Sequence, residues 1–286
     1  MKHFLSIDVE DWFHLLDVPH INDPIKWDQL ENRVYETLPE LLELLDRYKI
    51  KAVFFVLGWQ ASKNPDLVSQ IINKGHSLGS HTHSHQLVYT QTDYQFEHDL
   101  VKSIDTLIKY GAAKIECFRA PGFSITEKNI SKLNILRKNG IKLDSSIFSA
   151  HRNHGGAEGL GLLEPTLLKL DAGDLIELPI TPVKVCGFAR LPFSGGGYFR
   201  VLPLKILLNC YAKTSYSMSY FHPRDFDFDQ PILPNLSLAR RLMSYSGLKK
   251  SMKKFEHLLH TVQFTDFHVE ELITASYYPV MDLNEK

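Results

Sequence analysis

The chain has 286 residues, 44% of them hydrophobic and 23% charged, so it is long enough to bury a sizeable core. Its formal net charge is -1 and its pI is about 6.9, values that argue against a polyanion-binding surface. One small basic cluster is typical of a solvated helix face, so we expect no nucleic-acid partner and no membrane insertion. This cluster comprises Lys249, Lys250, Lys253 and Lys254.

The amino-terminal residues and the cysteines indicate a compartment. The first strand-like stretch reaches Asp8 without the long apolar run of a signal peptide. No window approaches the roughly 18 consecutive apolar residues of a membrane-spanning helix. Cys117, Cys186 and Cys210 are too few and too scattered for a disulfide framework or a zinc knuckle, and are typical of packed thiols. We therefore expect a cytoplasmic protein.

Strand and helix patterns alternate along the whole chain. Apolar runs predict strands at 3–7, 52–57, 76–80, 115–118, 141–143, 175–178 and 218–221. Helical spacing of apolar residues predicts helices at 37–49, 65–74, 94–110, 127–139 and 203–211. The glycine-rich stretch 148–163 is predicted to be a loop insertion. This alternation predicts parallel strands in one α/β domain over residues 1–286, with a helical extension from about residue 236.

Polar residues follow the predicted strands, and the first group is acidic. Asp8, Glu10 and Asp11 come directly after the first strand. Three acids in four residues repel one another unless a proton or a cation compensates them. Taken alone the segment is typical of a solvated acidic turn, and beside other metal ligands it predicts a metal site.

The second group contains three histidines in Gly79-Ser80-His81-Thr82-His83-Ser84-His85. If a helical turn begins near Ser80, His81 and His85 share one face at a spacing that suits two imidazoles on one metal. In an extended segment, all three histidines would share a face. Glycine at position 79 and the hydroxyl residues favour a turn, so His81 and His85 are the predicted ligands and His83 points elsewhere.

Two further strand ends carry basic side chains. Arg119 precedes a Pro-Gly turn, where its rigid guanidinium can hold a carboxylate. His222 ends a late strand, and the following Pro223 favours an extended backbone there. The glycine-rich stretch 194–200 is either a flexible loop or a wall that lets the backbone approach a ligand.

Taken in order, these segments resemble the motifs of the polysaccharide deacetylase family, also called the NodB-homology or carbohydrate esterase 4 family. The order comprises an acidic motif, His-x-x-x-His, Arg-x-Pro and a late motif that ends in histidine. DVEDWF, SGGGYFR and FHPRDFD are most similar to a cytoplasmic-type branch found with bacterial exopolysaccharide and O-antigen biosynthesis. The resemblance runs from about residue 3 to residue 225 and implies a distorted (β/α)7-type barrel.

The resemblance implies one divalent metal ion, Zn2+ by preference, held by Asp11, His81 and His85. Many family members carry two adjacent aspartates at the acidic motif and others carry Asp-x-Asp, whereas this chain has Asp-x-Glu-Asp. Glu10 therefore competes with Asp11 as the carboxylate ligand. Asp11 is preferred because its shorter side chain lies one residue farther from the strand end.

The resemblance also implies catalytic roles. Asp8 is the general base that takes a proton from the attacking water, and Arg119 orients Asp8. His222 protonates the departing amine. The implied activity is hydrolysis of the acetamido group of an N-acetylated sugar or oligosaccharide, on a precursor of a cell-surface polysaccharide.

Two other functions fit the same resemblance less well. A metal-independent amide hydrolase of the allantoinase-like branch does not need the full set of one aspartate and two histidines that this sequence retains. An inactive sugar-binding module is expected to lack the base, a ligand or the acid, and none of these is missing. A tightly bound divalent metal favours the deacetylase over both alternatives.

Overall fold

A computed structural model of the chain describes residues 2–18, 21–150, 154–185, 189–191, 193–234 and 236–284. The strands are β1 (Lys2–Val9), β2 (Val53–Val56), β3 (Ser77–Ser80), β4 (Cys117–Phe118), β5 (Leu143–Asp144), β6 (Thr166–Lys169), β7 (Leu175–Glu177), β8 (Val183–Val185), β9 (Ala189–Leu191), β10 (Tyr216–Phe221) and β11 (Val280–Asp282).

Helices alternate with these strands over most of the chain. The α-helices are α1 (Val34–Arg47), α2 (Gly58–Lys63), α3 (Asp66–Asn73), α4 (Asp93–Lys109), α5 (Leu133–Lys138), α6 (Gly196–Val201), α7 (Leu204–Ala212), α8 (Leu238–Tyr245), α9 (Leu248–Thr261) and α10 (Val269–Thr274). Short 3-10 helices occupy Trp27–Gln29, Val88–Thr90, Pro121–Phe123, Glu127–Lys132, Glu158–Leu160 and Pro223–Asp225.

The chain divides into two compact units, of which the first contains Met1–Ala52 and Pro182–Asp266. In this unit β1 pairs in parallel with β10, with Ile7 opposite Phe221. Both strands are buried almost throughout, as near-continuous apolar strands are when both faces are covered. Because the two strands are parallel, the residues that follow Ile7 and Phe221 emerge at the same end. β8 and β9 form a separate antiparallel pair.

The second unit contains Val53–Thr181 and Phe267–Lys286. Its strands follow the order β2, β3, β4, β5, β7, β6, β11, and neighbours are parallel except β6 and β7. Strand ends fall in one register, with Ser80 opposite Phe118, Phe118 opposite Asp144 and Asp144 opposite Glu177. The segments that follow these residues therefore start side by side at the carboxyl edge of the sheet.

The predicted α/β class is confirmed, with helices alternating with mostly parallel strands. The predicted helix at 127–139 is wrong in part, since a 3-10 segment precedes the short helix α5. Asn129 breaks the run at φ -126°, because its side chain caps the segment by accepting from the Thr126 amide. The (β/α)7 barrel and the single domain over residues 1–286 stay predictions.

Two further expectations concern packed cysteine thiols and membrane-spanning helices. Cys117 and Cys210 are buried thiols, as predicted, and Cys186 lies outside the described residues. In the part of the chain that the structure describes, no helix is both long enough and apolar enough to cross a membrane.

Candidate functional site

Two acids and a histidine meet at the carboxyl ends of β1 and β10, in the first unit. Asp8 and Glu10 are buried, at 2% and 8% exposure. His222 Nε2 lies 3.9 Å from Asp8 Oδ2 and 4.0 Å from Glu10 Oε1. One potential ligand atom of each residue lies within 4.8 Å of the other two. Buried carboxylates this close need a proton or a cation between them, so the cluster suits acid-base or metal chemistry.

The orientation of His222 is set by Asp225. His222 Nδ1 lies 2.9 Å from Asp225 Oδ2, which also accepts a hydrogen bond from the His222 amide at 3.0 Å. Arg200 Nε donates to Asp225 Oδ1 at 3.0 Å, and both side chains are 4% exposed. The Arg200 guanidinium in turn donates to the carbonyls of Met243, Ser244 and Ser246. With Nδ1 engaged by Asp225, the Nε2 edge of the ring is the one beside the two acids.

The carboxylates around His222 control its charge. Burial alone lowers the pKa of this histidine. The carboxylates of Glu10, Asp225 and Asp8 outweigh burial and raise that pKa to about 9. Burial likewise raises the pKa of Asp225, but hydrogen bonding and charge from His222 and the charge of Arg200 hold it well below its usual range. His222 therefore carries a proton at neutral pH, and Asp225 carries a negative charge.

Asp11 is used differently from its neighbour Glu10. Its carboxylate accepts hydrogen bonds from the backbone amides of Trp12, Arg33 and Val34, at 2.7, 2.6 and 3.2 Å. Val34 begins α1, so this carboxylate satisfies amides at the amino end of that helix. Burial raises the pKa of Asp11 to about 6, although the three amides oppose the shift. Of the two ligands that the sequence leaves open, the structure therefore favours Glu10.

The segment from His81 to His85 is not the predicted helical turn, and this prediction is wrong. Residues 81–85 contain no helix, and Thr82 and His85 adopt left-handed φ values of 66° and 53°. A right-handed helix cannot pass through such residues. Thr82 Oγ1 accepts a hydrogen bond from the His85 amide at 3.1 Å, which closes the loop locally.

Asp99 of α4 holds the same loop from the side. Its carboxylate accepts hydrogen bonds from the amides of His83 and Ser84 at 3.1 and 3.4 Å, and from Ser84 Oγ at 2.5 Å. His83 itself packs against Gly58, where an added Cβ would lie 2.6 Å from His83 Nδ1. Burial lowers the pKa of His83 to about 4, so it is a neutral packed side chain.

His81 and His85 lie side by side although the segment that carries them is not helical. Their ring centroids are 5.3 Å apart, and each residue is 1% exposed. His81 Nδ1 lies 2.8 Å from the carbonyl oxygen of Arg119. When Nδ1 donates its proton to that oxygen, Nε2 presents its lone pair, which is the tautomer that metal-binding histidines adopt. The two imidazoles thus fit a borderline divalent metal such as Zn2+, given a carboxylate as a further donor.

Arg119 is fixed by the end of the neighbouring strand. It is fully buried, and its guanidinium donates to the Ser145 carbonyl at 3.0 Å and to Ser145 Oγ at 2.8 Å. The guanidinium carbon lies 4.3 Å from the centre of the Phe55 ring. Ser145 Oγ donates to the Leu178 carbonyl at 2.7 Å, so β5 and β7 together hold the arginine.

A buried carboxyl pair lies beside Arg119. Asp144 and Glu177 are 1% and 0% exposed. Two buried carboxyl groups that interact favour the neutral form of at least one of them. Burial, together with the charge of Asp144, raises the pKa of Glu177 well above its usual value. Burial also raises the pKa of Asp144 to about 6, against its hydrogen bond with Ser146.

The glycine-rich stretch packs against β10. A Cβ at position 195 would lie 1.7 Å from the Tyr220 carbonyl oxygen, so only glycine permits this approach. Helix α6 starts at Gly196, and Tyr198 is 40% exposed on it. Close packing thus accounts for Gly195, and a ligand-facing role for the stretch 194–200 stays a prediction.

Three functional partners were not predicted from the sequence. Asp225 follows His222 by three residues, which is the spacing of a capping box and could have pointed to the pair. Glu177 ends a buried strand, as Asp8 nearly does, and could have been noticed for that reason. Arg200 ends the SGGGYFR stretch, but nothing in the sequence points to Asp225 as its partner.

The chain is similar to two known families and to several solved structures. Residues 26–143 match the polysaccharide deacetylase model, and residues 145–271 match a family described as a domain of unknown function (DUF3473). A structure from Mycobacterium smegmatis that carries a polysaccharide deacetylase name has a TM-score of 0.56 at 15% identity, covering 94% of this chain and 93% of that one. A deacetylase solved with substrate has a TM-score of 0.51 at 13% identity, covering 98% and 96%.

Curated relatives match over shorter stretches. A peptidoglycan-N-acetylglucosamine deacetylase from Bacillus cereus is 34% identical over 89 residues, which are 31% of this chain and 41% of the relative. A peptidoglycan deacetylase from Helicobacter pylori is 28% identical over 38% of this chain and 36% of its own length. The chain thus spans less than half of the length of the curated relatives it matches.

The chain shares its fold with these two deacetylase structures. The match over residues 26–143 confirms the resemblance to the polysaccharide deacetylase family that the motifs predict. Asp8, Glu10 and His222 lie outside the residues matched to that family, and His222 lies within the second match. Assignment to the exopolysaccharide branch stays a prediction.

Proposed function

We propose that the chain is a metal-dependent N-deacetylase that hydrolyses the acetamido group of an N-acetylated sugar. The observation that carries the proposal is the cluster of Asp8, Glu10 and a protonated His222 held by Asp225 at the ends of two parallel strands. Such a cluster supplies both a proton acceptor and a proton donor, which amide hydrolysis requires. The names of the curated relatives support a cell-wall or other cell-surface saccharide as the substrate class.

The proposed metal ligands are Glu10, His81 and His85. Glu10 replaces the preferred Asp11 because the Asp11 carboxylate is committed to the amides at the start of α1. Two imidazoles and one carboxylate form the donor set of catalytic rather than structural zinc sites. When bound, a divalent metal polarises the acetyl carbonyl and lowers the pKa of water. Zinc is the proposed ion, and the cytoplasmic location stays a prediction from the sequence.

The protein's own residues carry the proton transfers. We propose that Asp8 accepts the proton of the attacking water, and that Arg119 orients Asp8. His222 then donates its Nε2 proton to the departing amine, because protonation makes nitrogen a far better leaving group. Asp225 stabilises the positive charge of His222 and fixes the direction of Nε2 through the 2.9 Å bond at Nδ1.

Metal analysis paired with acetate release tests this proposal. The purified chain is measured for bound transition metals and then offered a panel of N-acetylated amino sugars and their oligomers. We expect about one metal ion per chain and acetate release from at least one sugar. Stoichiometric metal without acetate release from any sugar would contradict the deacetylase proposal. Acetate release by protein that lacks all metal would favour the allantoinase-like alternative.

A further inference from the structure

A surface of the first unit combines positive charge with exposed apolar side chains. It is formed by the loop 228–233, by α8 and by the first two turns of α9, and we call it the α8–α9 surface. Residues 228–254 contain six lysines and arginines and one acid, Asp229, so this stretch has a net charge of +5 in a chain whose total is -1. Positive charge is therefore concentrated here and is offset elsewhere in the chain.

Two of the six cations are engaged by the fold, and the other four are exposed. Arg240 forms an ion pair with Asp17. Lys254 Nζ donates to the carbonyl oxygens of Phe199 and Leu202 at the end of α6. The exposed cations are Arg241, Lys249, Lys250 and Lys253.

Helix α8 exposes two leucines beside one of these cations. Leu238 and Leu242 are 74% and 55% exposed and lie one helical turn apart. Arg241 follows Leu238 by three residues, so the two side chains are neighbours on the helix surface. Ser244, the buried residue of α8, lies on the other side from the leucines. Helix α8 therefore presents an apolar and cationic face away from the core.

The loop before α8 adds two more exposed apolar side chains. Tyr245 holds this loop against the helix, because its hydroxyl accepts a hydrogen bond from the Leu233 amide at 2.9 Å. Ile232, the residue before Leu233, is 61% exposed. Phe228 is 55% exposed, and Lys249 Nζ lies 5.5 Å from the centre of its ring. The aromatic ring and the lysines of α9 thus belong to one surface.

The combination of charge and apolar side chains favours one kind of partner. A membrane with anionic lipids offers negative headgroups with an apolar layer beneath them. Nucleic acid offers phosphates but no apolar layer for aliphatic side chains. In a symmetric dimer formed through this surface, two patches of the same positive charge would face and repel each other.

We propose that the α8–α9 surface binds the protein peripherally to membranes that contain anionic lipids. Leu238, Leu242 and Ile232 enter the headgroup region, and the exposed lysines lie at the level of the lipid phosphates. This contact needs no membrane-spanning helix. The lysines of α9, which the sequence alone assigns to a solvated helix face, thereby gain a partner. The inference goes beyond the proposed function and does not depend on it.

Vesicle sedimentation with the full chain tests the proposal. The protein is mixed with vesicles of phosphatidylcholine alone or of equal parts phosphatidylcholine and phosphatidylglycerol, and the pelleted fraction gives a partition coefficient. Wild type is expected to bind the mixed vesicles at least about tenfold more strongly than the neutral ones, and less strongly at high salt. No binding to the mixed vesicles, or equal binding to both kinds, would overturn the proposal.

A pair of lysine substitutions locates the contact. Lys249→Gln with Lys253→Gln is expected to lower the partition coefficient on mixed vesicles about 20- to 30-fold, or about fivefold for each lysine. The matched control, Lys102→Gln with Lys109→Gln, removes the same charge from exposed positions of α4 and is expected to stay within about twofold of wild type. Equal losses in the two variants would assign binding to net charge alone and overturn the α8–α9 surface.

A pair of leucine substitutions tests the apolar part without changing the charge. Leu238→Ser with Leu242→Ser is expected to lower the partition coefficient about tenfold. Val101→Ser with Ile108→Ser, at exposed positions of α4, is the control with wild-type binding, and thermal denaturation checks that both variants fold. Binding that the leucine variant leaves unchanged, or tighter binding of wild type to a DNA duplex than to the mixed vesicles, would contradict membrane docking.

Discussion

Each of the two units has buried carboxyl groups at the ends of its parallel strands. The two units compensate the negative charge of these groups in different ways. In the first unit, Asp8 and Glu10 lie beside an imidazole whose pKa they help to raise to about 9. In the second unit, burial raises the pKa values of Asp144 and Glu177 beside the buried Arg119. The histidine of the first cluster is 20% exposed, whereas both carboxyl groups of the second cluster lie in the core.

This difference distinguishes a cluster that can take part in catalysis from one that supports the fold. A proton on a partly exposed imidazole can be transferred to a ligand, whereas one held by fully buried carboxyls cannot reach solvent without opening the fold. The second cluster instead lies beside Arg119, whose carbonyl holds His81. We therefore expect substitutions in the first cluster to change activity most, and substitutions in the second to change stability most.

The largest expected effect is that of His222→Ala. Removal of a general acid typically costs about 10²–10⁴-fold in rate, so we expect a loss of that order in kcat for acetate release. Metal content is expected to stay at the wild-type level. His257→Ala, at an exposed histidine of α9, serves as the control with wild-type activity. Loss of metal in His222→Ala would show that His222 is a ligand instead of the acid.

The next effect distinguishes the neighbouring acids Glu10 and Asp11. Glu10→Gln is expected to weaken metal affinity by more than about 100-fold, since even partners of ligands cost about 10–100-fold. Asp11→Asn is expected to bind metal as wild type does and to lower the free energy of unfolding by about 1–2 kcal/mol through its contacts with α1. Metal titration and chemical denaturation of both variants check this. The reverse pattern would restore Asp11 as the ligand.

The buried pair predicts a pH dependence of stability. The pKa of Asp144 is raised from 3.8 to about 6 in the folded chain, and the pKa of Glu177 is raised well above its usual value. The folded state thus binds protons that the unfolded state releases, so this stabilisation is complete below about pH 4 and is lost as the pH rises through 6 and beyond.

Glu177→Gln removes one of the two ionisations. We expect its free energy of unfolding to fall less than that of wild type between pH 4 and pH 8, by about 1–3 kcal/mol. Denaturant titrations at several pH values measure this. Glu164→Gln, at an exposed acid of the same unit, is expected to follow wild type. Parallel curves for wild type and Glu177→Gln would mean that the pKa of Glu177 is not raised.

The smallest effect concerns the contact between Ser145 and Arg119. Ser145→Ala removes the hydroxyl that accepts from Arg119 and donates to the Leu178 carbonyl. Each lost hydrogen bond costs about 1 kcal/mol, so thermal or chemical denaturation is expected to show a loss of about 1–3 kcal/mol. Metal binding is expected to be unchanged. A loss of metal affinity would mean that the second cluster takes part in the chemistry directly.

Much of the fold could be predicted because the relevant signals are local. The strand at 3–7 is apolar on both faces and was predicted within two residues of Lys2–Val9. In contrast, β11 is exposed at its ends and was missed, since an edge strand carries no run of apolar residues. β6 was missed as well, because its alternate burial over four residues gives too short a pattern.

The site could be predicted less well because its geometry depends on distant residues. The turn at His81 to His85 is governed by Asp99, and no local pattern announces that contact. The roles of Glu10 and Asp11 differ only because Arg33 and Val34 place their amides against Asp11. Adjacent acids look alike in the sequence. Their roles differ only through hydrogen-bond partners 22 or more positions farther along the chain.

Acetate release from tri-N-acetylchitotriose before and after metal removal tests the central claim most directly. The chain is treated with a chelator, assayed, and assayed again after Zn2+ is returned. We expect activity to fall to background on chelation and to return with Zn2+ in wild type, but not in Glu10→Gln. Activity that survives complete removal of metal would contradict the account.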